Sequence, residues 1–259
     1  MERLLFDTHC HMDDRRFDAE RDQIIQAMPE QGIKHILWVG TDLDSSRIAC
    51  QYAEKYPHVW FGAGFYPHDT PKMTASSLKE LEMLLTHEKC LALGEIGLDY
   101  HYEGAPREMQ KEALKAQLEL AVSMNKPVSL HERDACGDML EILSPFKGRL
   151  RGVMHCFSGS PGKAEQFLKL GLYISFSGVL TFKNARQAVE TAAAVPHEKA
   201  LIETDSPYMA PEPLRGKRNQ PDYVLYVAQK LGEIWNISPQ EAARQTCLNA
   251  QTLFFGQQN

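Results

Sequence analysis

The sequence predicts a single (β/α)8 TIM barrel of the α/β class, on three observations. At 259 residues the chain is close to the roughly 250 of one barrel domain. Eight short runs rich in apolar and β-branched residues recur along it, alternating with longer segments of helical periodicity. No Gly-rich fingerprint follows the first run, which disfavours the rival architecture, an open doubly wound sheet. Strands alternating with helices connect by right-handed crossovers into a parallel sheet, and eight such units close most economically on themselves.

The first strand is expected at Leu4–His9, ahead of a mostly polar stretch. The second and third, His35–Gly40 and Val59–Gly64, each end on a glycine. Cys90–Glu95 is the fourth and Pro127–His131 the fifth. Between them, Arg107–Met124 sets Met109, Ala113, Ala116, Leu120 and Met124 at helical spacing, the face of a helix packed on the sheet. Gly152–His155, Leu172–Ser177 and Ala200–Thr204 complete the eight. Helices near Tyr223–Trp235 and Pro239–Phe254 supply the barrel closure and one extra helix. No linker, low-complexity segment or shift in composition divides the chain, so residues 1–259 are read as one domain.

Composition excludes several function classes. Apolar residues make up 43% and charged residues 24%, ordinary values for a soluble globular chain. No apolar run approaches the 18 or so residues of a spanning helix, and the N-terminal segment fits neither a signal nor a transit peptide. A cytoplasmic location is the expectation, with no membrane and no obligate protein partner. Six cysteines without a CxxC pair read as reduced, mostly buried thiols. A net charge of −6 argues against a protein that coats nucleic acid, but not against an enzyme that meets one phosphate at a time.

A barrel carries its active site at the C-terminal strand ends and in the loops that follow. His9-Cys10-His11 lies there on the first strand, with both imidazoles on one side and Cys10 on the other. Alone, a His-x-His pair is a weak signal. Asp7 shares that parity, either as a ligand or as the carboxylate that orients one. Glu95 ends the fourth strand, His131 the fifth and His155 the sixth, while Asp205 follows the eighth. A lone buried His usually satisfies a local hydrogen bond, and a lone Asp after a strand often caps a helix. Six such residues converging on one barrel end have large desolvation and repulsion costs, which divalent metals remove. Glu203, in phase with Asp205, reads as a buried supporting carboxylate.

These residues sit in longer motifs: His9-x-His11, GEIGLDY at 94–100, P-V-x-x-H-x-R-x-A at 127–135 and HCFSG at 155–159. SFSGVLTFKNA at 175–185, ETDSPY at 203–208 and P-x-P-x-R-G-K-x-N-x-P at 211–221 continue the series. In this order and over nearly the whole chain, they closely resemble the TatD-family deoxyribonucleases. The resemblance implies a metal-dependent deoxyribonuclease or related hydrolase with two divalent ions. The ligand chemistry leaves Mg, Mn or Zn open, since imidazoles suit Zn, Mn or Fe while carboxylates and phosphate suit Mg or Mn. The resemblance assigns His9, His11 and Asp205 to one metal, His131 and His155 to the other, and Glu95 to the bridge. A carboxylate has two oxygens and can span metals about 3.5–4 Å apart, which an imidazole ordinarily cannot.

Glu95 and Asp205 are therefore the expected catalytic carboxylates, Asp205 doubling as weak ligand and general base toward the attacking water. The expected substrate is DNA, single-stranded ends above all, cleaved exonucleolytically. Arg133 and the Arg215–Arg218 segment are the candidate phosphate contacts. One departure stands out: the family's Gly-x-His-Pro pattern reads Gly64-Phe65-Tyr66-Pro67 here, so Tyr66 replaces the His and its contact, and the following His68 is either a substitute or, more simply, a surface-loop residue. His35, His58, His87, His101 and His197 show no partner pattern. Two rival functions stay open: a metal-dependent amide or ester hydrolase of a small molecule or aminoacyl ester, and a non-catalytic metalloprotein.

Overall fold

The computed structural model describes residues 4–256. Residues 1–3 and 257–259, which the sequence reading assigns to the same domain, lie outside the described residues. Eight parallel strands pair in sequence order. They are β1 (Leu5–Cys10), β2 (Ile33–Val39), β3 (Val59–Ala63), β4 (Cys90–Asp99), β5 (Val128–Arg133), β6 (Gly152–Met154), β7 (Tyr173–Phe176) and β8 (Ala200–Ile202). The helices between them are α1 (Arg21–Ala27), α2 (Leu43–Lys55), α3 (Ala75–Leu85), α4 (Arg107–Ser123), α5 (Cys136–Leu143), α6 (Pro161–Lys169) and α7 (Arg186–Ala194). Two more, α8 (Val224–Trp235) and α9 (Pro239–Phe255), follow β8. The expected barrel is the observed one.

Local chemistry sets the helix starts. Asp42 and Ser45 cap α2 reciprocally, each side chain accepting the other's backbone N–H, and Thr74/Ser77 and Ser238/Glu241 do the same for α3 and α9. Inside the ring, Phe6, Leu37, Leu91, Val153 and Leu201 form one apolar cluster. They come from five strands spread around the barrel and can meet only in its interior. Leu253 and Phe254 of α9 pack on this cluster, so the extra helix plugs the N-terminal end and leaves the C-terminal end open.

The seam between β8 and β1 is made by residues just past β8. Asp7 accepts from the Thr204 backbone N–H (2.8 Å) and hydroxyl (2.6 Å). The Asp205 amide donates to the His9 carbonyl (2.9 Å), and the His11 amide to that of Ser206 (2.8 Å). Of the two roles left open for Asp7, this tie agrees with support, since among the described residues the carboxylate joins no cluster of candidate ligands.

The main departure from expectation is β4, which continues four residues past Glu95 to Asp99. Gly97 explains it. Its residue pairs with His131 of β5, and a Cβ built there would lie 1.9 Å from the His131 carbonyl oxygen. The bare backbone lets β4 press against β5 where His131 must meet Glu95. Gly97→Ala is expected to cost about 3 kcal/mol or more of stability, at the upper end of overpacking effects. Urea denaturation measures this, and a loss under about 1 kcal/mol would contradict so close an approach.

Candidate metal centre

Glu95 is buried at the middle of the open barrel end, and its two oxygens face different imidazoles. Oε1 lies 2.9 Å from His131 Nδ1 and 3.0 Å from His155 Nε2. Oε2 lies 3.4 Å from both His9 Nε2 and His11 Nε2. Asp205 Oδ1 joins the second set, 3.5 Å from His11 Nε2. The six sequence-expected ligands thus gather as Glu95/His131/His155 and His9/His11/Asp205, sharing Glu95.

The outer nitrogen of each imidazole has its own partner. His11 Nδ1 donates to the Val39 carbonyl (2.9 Å), and His9 Nδ1 meets the Ser129 hydroxyl (3.0 Å). His131 Nε2 donates to Asp99 Oδ2 (3.2 Å), and His155 Nδ1 to Glu203 Oε1 (3.3 Å). At His11, His131 and His155 the outer nitrogen donates, which turns the inner one's lone pair to the centre, and at His9 the Ser129 hydroxyl can accept and allow the same. Those lone pairs face each other in two couples, His9 with His11 and His131 with His155, each 3.1 Å apart. Such couples need a cation or a proton between them. The donor set, four imidazoles and two carboxylates, fits divalent metal of borderline character.

Charge at the site follows the same logic. Burial opposes ionisation of Glu95, but His155, His131 and His9 outweigh it and hold the carboxyl well below its usual range. Burial also opposes a charge on His11, yet Asp205 and Glu95 push it up to about 9. His131 and His155 are raised too, against burial, by Asp99 with Glu95 and by Glu95 with Glu203 respectively. His9 alone is lowered, by burial and by the neighbouring His155. The protein therefore offers positive charge a home at three of its four imidazoles. For Asp205, burial raises the carboxyl but the bond to His11 and the nearby imidazoles hold it below its ordinary value.

Support comes from residues the sequence reading passed over. Asp99 was quoted within GEIGLDY without a role, yet it is buried and accepts from His131 and from the Tyr66 hydroxyl (2.8 Å). It lies two pairs of alternating residues beyond Glu95, a parity signal that a strand ending at Glu95 hid. Burial and then Glu95 keep the Tyr66 hydroxyl protonated, so it donates. His68 is not a free surface residue: its Nε2 sits 3.8 Å from Asp99, and both ring nitrogens are enclosed without a hydrogen-bond partner among the described residues. Asn219, inside the last motif, donates to the Thr204 and Tyr208 carbonyls and pins the loop after β8.

Glu203 accepts from His155 and from the Cys156 amide (2.6 Å), the contacts of a supporting carboxylate, and it also lies close enough to His9 and His155 to share a metal with them. Glu203→Gln should weaken metal binding at the centre by about 10- to 100-fold, the usual effect of losing such an orienting partner. Competition against a chelator reads this directly, and unchanged affinity would remove Glu203 from that role.

The site opens into a cavity of about 650 Å³ lined by His11, Glu95, His131, His155 and Asp205, with Arg133 on its wall. Arg133 has no ion pair among the described residues and lies over the Tyr102 ring. Arg215 is exposed, stacks on Phe182 at 3.6 Å and does not line the cavity. Arg218 is tied to Glu20 and to the Arg16 carbonyl. The remaining histidines stand apart from the centre. His58 donates to the Ile25 carbonyl, His197 stacks on Trp235, and His101 meets Asp134. His35 accepts from Trp60. His87 does have a partner, Glu54, with Cys50 close by. Its Nδ1 accepts from the Lys89 amide, which leaves a proton, not a lone pair, toward Glu54.

Residues 6–255 match the family model described as TatD related DNase. The chain is 38% identical to an uncharacterized metal-dependent hydrolase, YabD, of Bacillus subtilis, over 97% of this chain and 99% of that protein. It is 33% identical to the 3'-5' ssDNA/RNA exonuclease TatD of Citrobacter rodentium, over 96% and 97% of the two chains. The crystal structure of YJJV, a TatD homolog from Escherichia coli, superposes with a TM-score of 0.92 at 31% identity, covering 98% and 99%.

Proposed function

The chain belongs to the TatD-related DNase family, a family of metal-dependent hydrolases, and on that premise we propose that it is a two-metal deoxyribonuclease removing nucleotides from single-stranded DNA ends. One observation carries the reading. Two imidazole couples with facing lone pairs, each closed by a different oxygen of Glu95, open into a cavity whose wall bears an arginine without an ion pair. The TatD exonuclease named above supports the choice of substrate.

Two divalent ions, Mg, Mn or Zn, would be held by His9, His11 and Asp205 on one side, His131 and His155 on the other, and Glu95 between. When bound, they make a water more acidic and offset charge on the leaving oxygen. Asp205 stays ionised at neutral pH and is placed at the cavity to take the proton of the attacking water. Arg133 is the proposed contact for a substrate phosphate. Arg215, outside the cavity, would meet only a phosphate further along the strand. The six cysteines are unpaired, which fits the proposed cytoplasmic setting. No helix among the described residues is long and apolar enough to cross a membrane.

The test is metal-stripped protein reloaded singly with Mg, Mn or Zn and given end-labelled single-stranded DNA. The expected result is stepwise shortening from one end that depends on the added metal. Hydrolysis of small amides or esters, with no DNA cleavage under any metal, would replace the nuclease reading by the rival one.

A further inference from the structure

We propose that two arginine–tyrosine stacks on opposite rims of the cavity are platforms for nucleobases flanking the scissile phosphate. The inference rests on the nuclease reading and adds how a single strand is held.

Tyr102 follows β4 and is 57% exposed, while Tyr208 follows β8 and is 47% exposed. Among the described residues they are the two aromatic side chains that remain exposed, and both line the cavity beside Glu95, His131 and Asp205. Such concentration at one site is not the scatter of single apolar residues that any surface shows. Each ring is held by a guanidinium on one face: Arg133 at 4.7 Å over Tyr102, Arg16 at 4.6 Å over Tyr208. Arg133 and Tyr102 belong to the β4/β5 side of an eight-strand ring, Arg16 and Tyr208 to the β8/β1 side. Those sides face each other across the metal centre.

The charges differ in a way that matters. Arg16 is neutralised by both oxygens of Asp14, so it serves to fix its ring. Arg133 keeps its charge for a phosphate. Asp13 also lines the cavity, as do Asp14 and Asp69, paired with Arg16 and Lys72, and the chain carries a net −6. A polyanion gains little general attraction there, so contacts other than charge must hold it. Stacking on aromatic rings supplies such contacts for any base, but only for bases already out of a duplex. The arrangement selects an unpaired strand with a base on each side of the cleaved bond, largely without regard to sequence.

The experiment compares Tyr102→Ala and Tyr208→Ala with Tyr102→Phe and Tyr208→Phe, all loaded with Mn, on a single-stranded oligonucleotide. Each alanine should raise KM by roughly 5- to 100-fold, with kcat less affected, and each phenylalanine should restore it. A second readout needs no turnover: 2-aminopurine beside the target bond should be quenched on binding the Asp205→Asn chain, and less so when either tyrosine is also Ala. The parent protein offers a third, since abasic positions flanking the bond should raise its KM comparably whether or not any variant folds. Unchanged KM and quenching in the alanine variants, or no penalty for abasic substrate, overturns the proposal. An effect at one tyrosine alone overturns the two-sided arrangement. If the parent cleaves no oligonucleotide under any metal but does hydrolyse a small ester, the nuclease reading has failed and takes this inference with it.

Discussion

Glu95→Gln should empty both metal positions and lower hydrolysis by at least about a thousand-fold, the scale seen when preorganised charge at a reacting centre is lost. The substitution keeps the shape of the side chain, so the fold should survive. It leaves one oxygen to serve two imidazole couples and turns an amide N–H toward the other couple's lone pairs. No rotation of the amide satisfies both, because His131 and His155 lie on one oxygen and His9 and His11 on the other. Elemental analysis of the purified variant measures the metal, and turnover on labelled DNA measures the rest. Two equivalents of metal in this variant would show that Glu95 is not the bridge.

The second large effect is expected at Asp205, where Asn should keep most of the metal while hydrolysis falls by about 10²- to 10⁴-fold. His9, His11 and Glu95 remain to hold the ion on that side. The amide, however, cannot accept a proton from water. Backbone geometry makes the test clean: Asp205 sits at φ 55°, in the left-handed region that Asn adopts at least as readily as Asp. Its amide bond to the His9 carbonyl, which closes the barrel seam, needs no side chain. Near-normal turnover at full metal content would take Asp205 out of the proton-transfer role.

How much of this was legible beforehand follows from the range of the signals. The alternation of runs placed every strand to within a few residues, since each run is a local pattern. The six proposed ligands were legible because a barrel directs strand ends to one place. Glu203 could be read from its parity with Asp205. By contrast, Ser129 meets His9 across 120 positions, and Asp99 meets His131 across 32. Those pairs depend on strand register, and on the stretch at Gly97 that carries β4 past its expected end. Arg215 shows the complementary limit. Its motif put it near the site, but Phe182 holds its side chain outside the cavity, a contact no spacing reveals.

The central claim is that one carboxylate divides this centre into two metal positions, and diffraction can see it directly. Crystals grown in excess Mn and measured for anomalous scattering should show two peaks about 3.5–4 Å apart, as in two-metal hydrolytic sites. One should lie within reach of His9, His11 and Asp205, the other within reach of His131 and His155, with Glu95 between them. A single peak under saturating Mn, or two peaks neither of which touches Glu95, would contradict the account.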